Sequence, residues 1–208
     1  MKKSKRIKKS NSWKIKQHRD QFFKKSKTLG YRSRASFKLI ELNKKFKFIK
    51  GSTNLLDLGS SPGGWTQVAS KIITSGKILS VDMKDMEPIK NVKFLKGDIL
   101  EKKTKNLIAK YFQKKLDVIV SDMAADTTGN KSLDAIRTNL LCENVIYFSR
   151  ELLKPMGVLV CKVFMGEDFI KVKDLAKSMF KKVSFFKPDS SRKESKETYL
   201  HCEILKSL

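Results

Sequence analysis

From residue 53 onward the chain alternates short apolar runs with helical patterns, and this alternation limits the possible folds more than any other feature. The runs are "NLLDL", "KILSVD", "VKFLKGD", "LDVIVSD" and "VLVCKVF". Helical periodicity occupies residues 65–74, 104–114, 132–153 and 167–180 between and after them. Runs that are apolar throughout belong in a sheet covered on both faces, and a helix between successive strands lets them pair in parallel. "KKVSFFKP" and "TYLHCEILK" add two further strands. The segment between them, "DSSRKESKE", is too short for a crossover helix, so this pair is expected to be antiparallel. The expectation is an α/β fold with a mostly parallel seven-stranded sheet, one antiparallel strand and helices on both faces. Before the sheet, "SRASFKLIELNKKF" (33–46) reads as a helix. Ser33 stands in its N-cap position, and Phe37, Leu39, Ile40, Leu42 and Phe46 form an apolar face.

Charge bounds the partners. The 208 residues carry 46 Lys and Arg against 21 Asp and Glu, a formal net charge of +25. Lys-biased codon usage would replace Arg with Lys but would not remove acids, so the surplus points to a polyanion. RNA is the expected partner; DNA and membrane are not. No apolar run approaches the ~18 residues of a membrane span. Residues 1–32 read as a basic RNA-contacting arm whose sole acid is Asp20, with Trp13, Phe22, Phe23 and Tyr31 set among the cations for base stacking. Residues 33–208 form the remaining domain. Cys142, Cys161 and Cys202 form no CxxC, and His18 and His201 complete no zinc spacing, so free thiols and no metal are expected. No apolar stretch follows the basic N-terminus. A cytoplasmic monomer is expected, with a mitochondrial transit peptide as the lesser alternative, since residues 1–19 contain no acid.

The first strand ends in "DLGSSPGGWTQ" (57–67), a glycine turn leading into a helix. Ligands of such sheets sit at the carboxyl ends of the strands. No Gly-Lys-Ser/Thr follows, and the spacing of Gly59, Gly63 and Gly64 departs from G-x-G-x-x-G, so a diphosphate is disfavoured. Gly59 would let backbone approach a ligand closely. Asp57, Asp82, Asp98 and Asp122 all fall at strand ends. Four carboxylates around one crevice would repel phosphate and suit a ligand with hydroxyls, an amine and positive charge. S-adenosylmethionine has these groups, with its ribose diol expected on Asp82.

A methyl acceptor needs its own machinery. The loop "SDMAADTTGN" has neither the Pro nor the aromatic residue of a base-amine box, and Cys161 lies within its strand rather than at the end. A hydroxyl acceptor requires a group that removes or shares its proton and stabilises the oxyanion. Lys162 interrupts an apolar central strand, which is costly unless the charge is paired or functional. Asp122 is its natural partner; Glu197 opens the last strand and Lys38 sits on the helix before the sheet, where each taken alone reads as a solvated charge, Lys38 with a local pair to Glu41. Burial and the like charge of Lys38 are expected to depress Lys162, making it a base for the hydroxyl. The rival role keeps Lys162 charged.

"SRASFKLIEL", "DLGSSPGGWTQVA", "VDM", "GDI", "SDMA", "KVFMGE" and "KPDSSRKESKETYL" together resemble the FtsJ/RrmJ family of large-subunit ribosomal RNA 2′-O-ribose methyltransferases, over about residues 11–205. The resemblance implies a Rossmann-like S-adenosylmethionine-dependent methyltransferase fold and a Lys-Asp-Lys-Glu catalytic set at Lys38, Asp122, Lys162 and Glu197. It also implies cofactor contacts at Gly63, Trp65, Asp82, Asp98 and Asp122, beside Gly59 of the turn. The implied substrate is a uridine ribose in the A-loop of 23S ribosomal RNA in the large ribosomal subunit. Alternatives are transfer or cap RNA as acceptor, and a non-catalytic assembly factor that binds RNA. The family usually continues "SDMA" with Pro-Asn; this chain has Ala125-Asp126, beside the cofactor and acceptor.

Overall fold

The computed structural model describes residues 20–207 and begins with helix α1 (Gln21–Thr28). The Asp20 carboxylate caps it, accepting hydrogen bonds from the amides of Phe22 and Phe23. Helix α2 (Ala35–Phe46) follows. Arg34, already helical, occupies its cap position without a side-chain bond, so the Ser33 cap expected from the sequence does not form. The Ser33 hydroxyl instead lies where a Cβ on Gly64 would collide with it. Within the expected arm, residues 20–32 fold onto the body: the Phe22 and Tyr31 rings pack on Phe37 at centroid distances of 5.5 and 5.8 Å. Residues 1–19 of that arm, Trp13 included, lie outside the described residues.

The remaining elements are β1 (Leu55–Leu58), α3 (Gly64–Ile72), β2 (Ile78–Asp82), β3 (Val92–Lys96), α4 (Lys102–Phe112), β4 (Leu116–Ser121) and α5 (Lys131–Leu152). They are followed by β5 (Leu153–Phe164), α6 (Phe169–Met179), β6 (Phe180–Phe186) and β7 (Glu197–Leu205). The sheet order is β3-β2-β1-β4-β5-β7-β6. Strands β1 to β5 pair in parallel, and β7 runs antiparallel to both β5 and β6. Strand β5 begins at Leu153, five residues before the apolar run Val158–Phe164, because Leu153 pairs with Leu116 ahead of an irregularity in the ladder. That irregularity accommodates Pro155 and Gly157, which read from the sequence as a break.

Period-2 alternation divides the core. Leu56, Leu58, Leu79, Ile119 and Leu159 pack against α4, α5 and α6, whereas Leu55, Ile78, Val118, Val120, Val160 and Tyr199 pack against α2 and α3. The strand order reverses between β1 and β4, and their carboxyl ends diverge there to leave a crevice. Because β7 is antiparallel, its first residue, Glu197, arrives at that same edge, paired with Phe164 at the end of β5. Among the described residues, no helix is long and apolar enough to cross a membrane.

Candidate active site

The parity of the strands sorts the expected site residues. Asp122 continues the Val118–Val120 side of β4, and Lys162 continues the Val160 side of β5. Both therefore face α2, from which Lys38 points back at them. Lys38, Lys162 and Glu197 are only 8%, 8% and 9% exposed, so each charge needs a partner. Each has one. Lys162 Nζ stands 2.9 Å from Asp122 Oδ1 and also donates to the Asp122 carbonyl oxygen at 2.9 Å. Lys38 Nζ is 2.7 Å from Glu197 Oε1. Glu41 is not the partner of Lys38; its carboxylate accepts from the amides of Asp189 and Ser190, anchoring the β6–β7 loop.

Tyr199, which sequence reasoning missed, joins the two pairs. Its hydroxyl donates to Asp122 Oδ1 at 2.6 Å, and Lys38 Nζ lies 5.6 Å from its ring centroid, within cation–π range. It pairs directly with Lys162 across the β5–β7 ladder. The signal was available: Tyr199 lies two residues beyond Glu197 and so shares its face of the strand. Trp65 packs behind it, ring centroids 5.6 Å apart, with its indole N–H donated to the Ala35 carbonyl. The Trp65 side chain is thus part of the core beneath Tyr199, and neither Trp65 nor Gly63, both expected to contact the cofactor, lines the cavity at the strand ends.

The electrostatics run against the expectation of a depressed Lys162. Burial does push it down, but Asp122 and Glu197, together with the Asp122 hydrogen bond, outweigh burial and hold it above the ordinary lysine value. Asp122 is pushed up by burial, and Lys162, Lys38 and the Lys162 and Tyr199 hydrogen bonds more than reverse this, leaving it below the usual carboxylate range. Glu197 is likewise raised by burial and lowered further by Lys38 and Lys162. The four side chains form a charge-balanced set of two buried ammoniums, the buried Glu197 carboxylate and the half-buried Asp122 carboxylate.

Asp122 also borders a cavity of about 650 Å³ at the carboxyl ends of β1 to β4. Gly59, Asp82, Asp98 and Asp122 line it, together with Met83, Leu100 and Asp126. Asp82 is held by the Ser61 and Lys84 amides at 2.9 and 2.8 Å, and Asp98 by the Leu100 amide at 2.9 Å. Gly59 has φ +75°, and a Cβ there would collide with Met123, so this glycine lets β1 and the β4–α5 loop converge at the cavity floor. Asp57 does not line the cavity. It is fully buried on the α3 side, accepting from Thr66 at 2.6 Å with its Oδ1 unpartnered. Burial chiefly, opposed by Thr66 and aided by Asp122 and Asp82, raises its pKa to about 7. In place of the expected Asp57, Asp126 joins the cavity rim from the Ala125-Asp126 departure, its carbonyl held by Arg137. Four rim-to-floor carboxylates with apolar Met83 and Leu100 between them suit a cationic, hydroxylated ligand with an aromatic base, which fits S-adenosylmethionine and not a phosphorylated nucleotide.

A second cavity of about 340 Å³ is lined by Lys38 and Glu197 together with Arg34, Arg192 and Glu194. Both arginines pair with Asp20, and Arg34 also donates to the Ser190 carbonyl. The tetrad therefore stands between the two cavities, Asp122 bordering the first and Lys38 and Glu197 the second.

A doubly wound sheet with only its β7 strand antiparallel, and a cavity at the switch point of the strand order, defines a Rossmann-like methyltransferase. A methyltransferase from Streptococcus mutans in complex with SAH shares this fold at 15% identity, with a TM-score of 0.52 over 83% of this chain and 96% of that one. More specifically, the chain belongs to the FtsJ-like methyltransferase family, whose description it matches over residues 31–204. FtsJ-like methyltransferases draw their methyl group from S-adenosylmethionine. The chain is 45% identical over 197 residues to the ribosomal RNA large subunit methyltransferase E of Pelagibacter ubique, covering 95% of this chain and 97% of that protein. It is 43% identical to the enzyme of the same name from Rickettsia akari, covering 94% and 89%. A structure described as that of a ribosomal RNA methyltransferase from Plasmodium falciparum superposes with a TM-score of 0.75 at 33% identity, covering 84% of this chain and 98% of that one.

Proposed function

We propose that this protein methylates a ribose 2′-hydroxyl in 23S ribosomal RNA of the large ribosomal subunit, with the A-loop uridine as the target and the cytoplasm as the place of assembly. The names of the relatives it matches at 43–45% identity support the substrate. The observation that carries the reaction type is the charge-balanced tetrad between the two cavities. Asp82 and Asp98 would hold the ribose and adenine of S-adenosylmethionine, with Asp122 near its cationic end. The cofactor supplies a methyl group on a sulfonium, already activated for transfer to oxygen. The acceptor strand enters from the side of Arg34 and Arg192.

The chain's own groups then handle the hydroxyl. The Lys162 ammonium, held charged by Asp122 and Glu197, donates a hydrogen bond that fixes the 2′-oxygen and stabilises negative charge growing on it. An oxygen that is gaining a methyl becomes a strong acid, so a weak base suffices for its proton. Asp122 is that base, beside Lys162, and it passes the proton on to solvent. Lys38, fixed by Glu197 and the Tyr199 ring, adds positive potential from the acceptor side. The substrate assignment is tested by mapping ribose methylation in 23S ribosomal RNA from cells lacking this protein. One missing A-loop methyl, restored by the purified protein on large subunits, is expected; an unchanged map refutes it. The role of Lys162 is tested by substitution. Lys162→Ala abolishes turnover, while Lys162→Arg, which keeps the charge but cannot serve as a base, retains measurable single-turnover activity. Equal inactivity of both variants, with a wild-type rate climbing steadily through pH 9, would restore the general-base role.

A further inference from the structure

We propose that Arg32 is a positioning residue for the cofactor cavity, setting the separation of two of its walls, and not a contact for RNA. The inference rests on the cavity being the S-adenosylmethionine site. By sequence Arg32 belongs to the basic segment assigned to RNA phosphate. In the structure its guanidinium is engaged elsewhere. Nη1 donates to the carbonyl oxygens of Glu87 at 2.6 Å and Pro62 at 3.3 Å, and Nη2 donates to that of Pro88 at 2.9 Å. Pro62 belongs to the glycine turn after β1, and Glu87 and Pro88 to the loop after β2. These two segments carry Ser61, Asp82, Met83 and Lys84 of the cavity lining. They are also tied directly, through the Ser61 amide to Asp82 and the Ser61 hydroxyl to the Asp85 carbonyl at 3.2 Å.

Two independent features show that the arginine is built in. Gly63 has φ +108°, and a Cβ there would stand 2.8 Å from Arg32 Nη1, 3.2 Å from Arg32 Cδ and 3.1 Å from Met86 Sδ. The glycine expected to admit a cofactor thus makes room for this side chain. At its other end, the Arg32 amide donates to Gln67 Oε1 of α3 at 2.8 Å, and Gln67 Nε2 returns a bond to the Gly30 carbonyl at 3.2 Å. The residue is pinned at its backbone to α3 and at its head to both loops. A planar guanidinium with several N–H groups in fixed directions can bridge three carbonyls at once, whereas a lysine ammonium offers one centre. Losing the bridge lets Asp82 and Ser61 shift relative to the rest of the cavity, and small misplacements of binding groups are costly.

The test is calorimetric titration of S-adenosylmethionine into the full chain and its Arg32→Ala, Arg32→Lys and Gly63→Ala variants, with a 23S ribosomal RNA fragment titrated in parallel. Cofactor affinity should fall by about tenfold or more in Arg32→Ala and Gly63→Ala, with Arg32→Lys between them and wild type. RNA affinity should stay within about twofold, and turnover at saturating cofactor should return to within about threefold of wild type, a KM effect without a kcat effect. Unchanged cofactor affinity in Arg32→Lys and Gly63→Ala overturns the inference even if Arg32→Ala does not fold. Weakened RNA binding with intact cofactor binding overturns it as well. Failure of the wild-type protein to bind S-adenosylmethionine would instead refute the reading of the cavity.

Discussion

Tyr199→Phe removes one oxygen atom from the centre of the site and leaves the ring in place. The residue is fully buried, and its hydroxyl donates to Asp122 Oδ1 at 2.6 Å. A hydrogen bond to a charged group contributes about 1.5–3 kcal/mol. Asp122 keeps Lys162 as a partner, so the acceptor is not orphaned and the loss should fall near the lower bound, about 1.5 kcal/mol at pH 7. The pH dependence is distinctive. Although burial raises Asp122, its lysine partners and hydrogen bonds leave its folded-state pKa below the usual range. A depressed carboxylate contributes stability above its unfolded value of about 3.9, and that stability is lost as pH falls through the folded value. The hydroxyl is one cause of the depression, so the difference between Tyr199→Phe and wild type should be full at pH 7 and shrink once Asp122 is protonated. Urea unfolding at pH 7 and at a series of successively lower pH values measures both. A transition-state share of the same size predicts a single-turnover rate about tenfold lower, since each 1.36 kcal/mol is a factor of ten. A difference that does not shrink anywhere on the acid side, or none at pH 7, would refute the assignment of Tyr199 to Asp122.

Asp82→Ala and Asp98→Ala should each weaken S-adenosylmethionine binding, by about 1.5–3 kcal/mol per lost charged hydrogen bond; unchanged calorimetric affinity in both would move the ligand out of this cavity. Asp57→Asn should change the shape of the stability profile. Burial, with help from Asp122 and Asp82, raises Asp57 to about 7 in the folded state, so the native protein binds the extra proton, and wild-type stability declines as pH rises from about 4 to 7. The Asn variant should lack that decline, gaining on wild type by roughly 4 kcal/mol at most across the window, and parallel urea-stability profiles would refute the shift. Removing residues 1–19, which hold nine of the Lys and Arg residues, should flatten the dependence of log K for RNA on log salt by at most about 8 units of slope, while cofactor affinity holds. An unchanged slope would show that the segment makes no phosphate contact.

Much of this architecture was legible in the order of residues, because the signals involved are local. Apolar runs spaced by helical periods specify a covered parallel sheet, and the short "DSSRKESKE" segment forces an antiparallel last pair. A lysine inside an apolar strand announces a buried charge that needs a partner, and Lys162 found Asp122 as expected. What the linear order left open was which side chains share a face once strands from distant segments pair. Tyr199 became the link between the two ion pairs only when β7 ran back along β5 and placed it opposite Lys162. Asp57 resembled its three companions in sequence, yet the alternation of β1 turned it toward Thr66 and away from the cavity. The charge state of Lys162 was likewise undecided by sequence, since burial and Lys38 pull one way and the carboxylates the other. Asp122, 2.9 Å away, and the charge of Glu197 tip that sum toward the charged form, and such proximity between segments exists only in the folded chain.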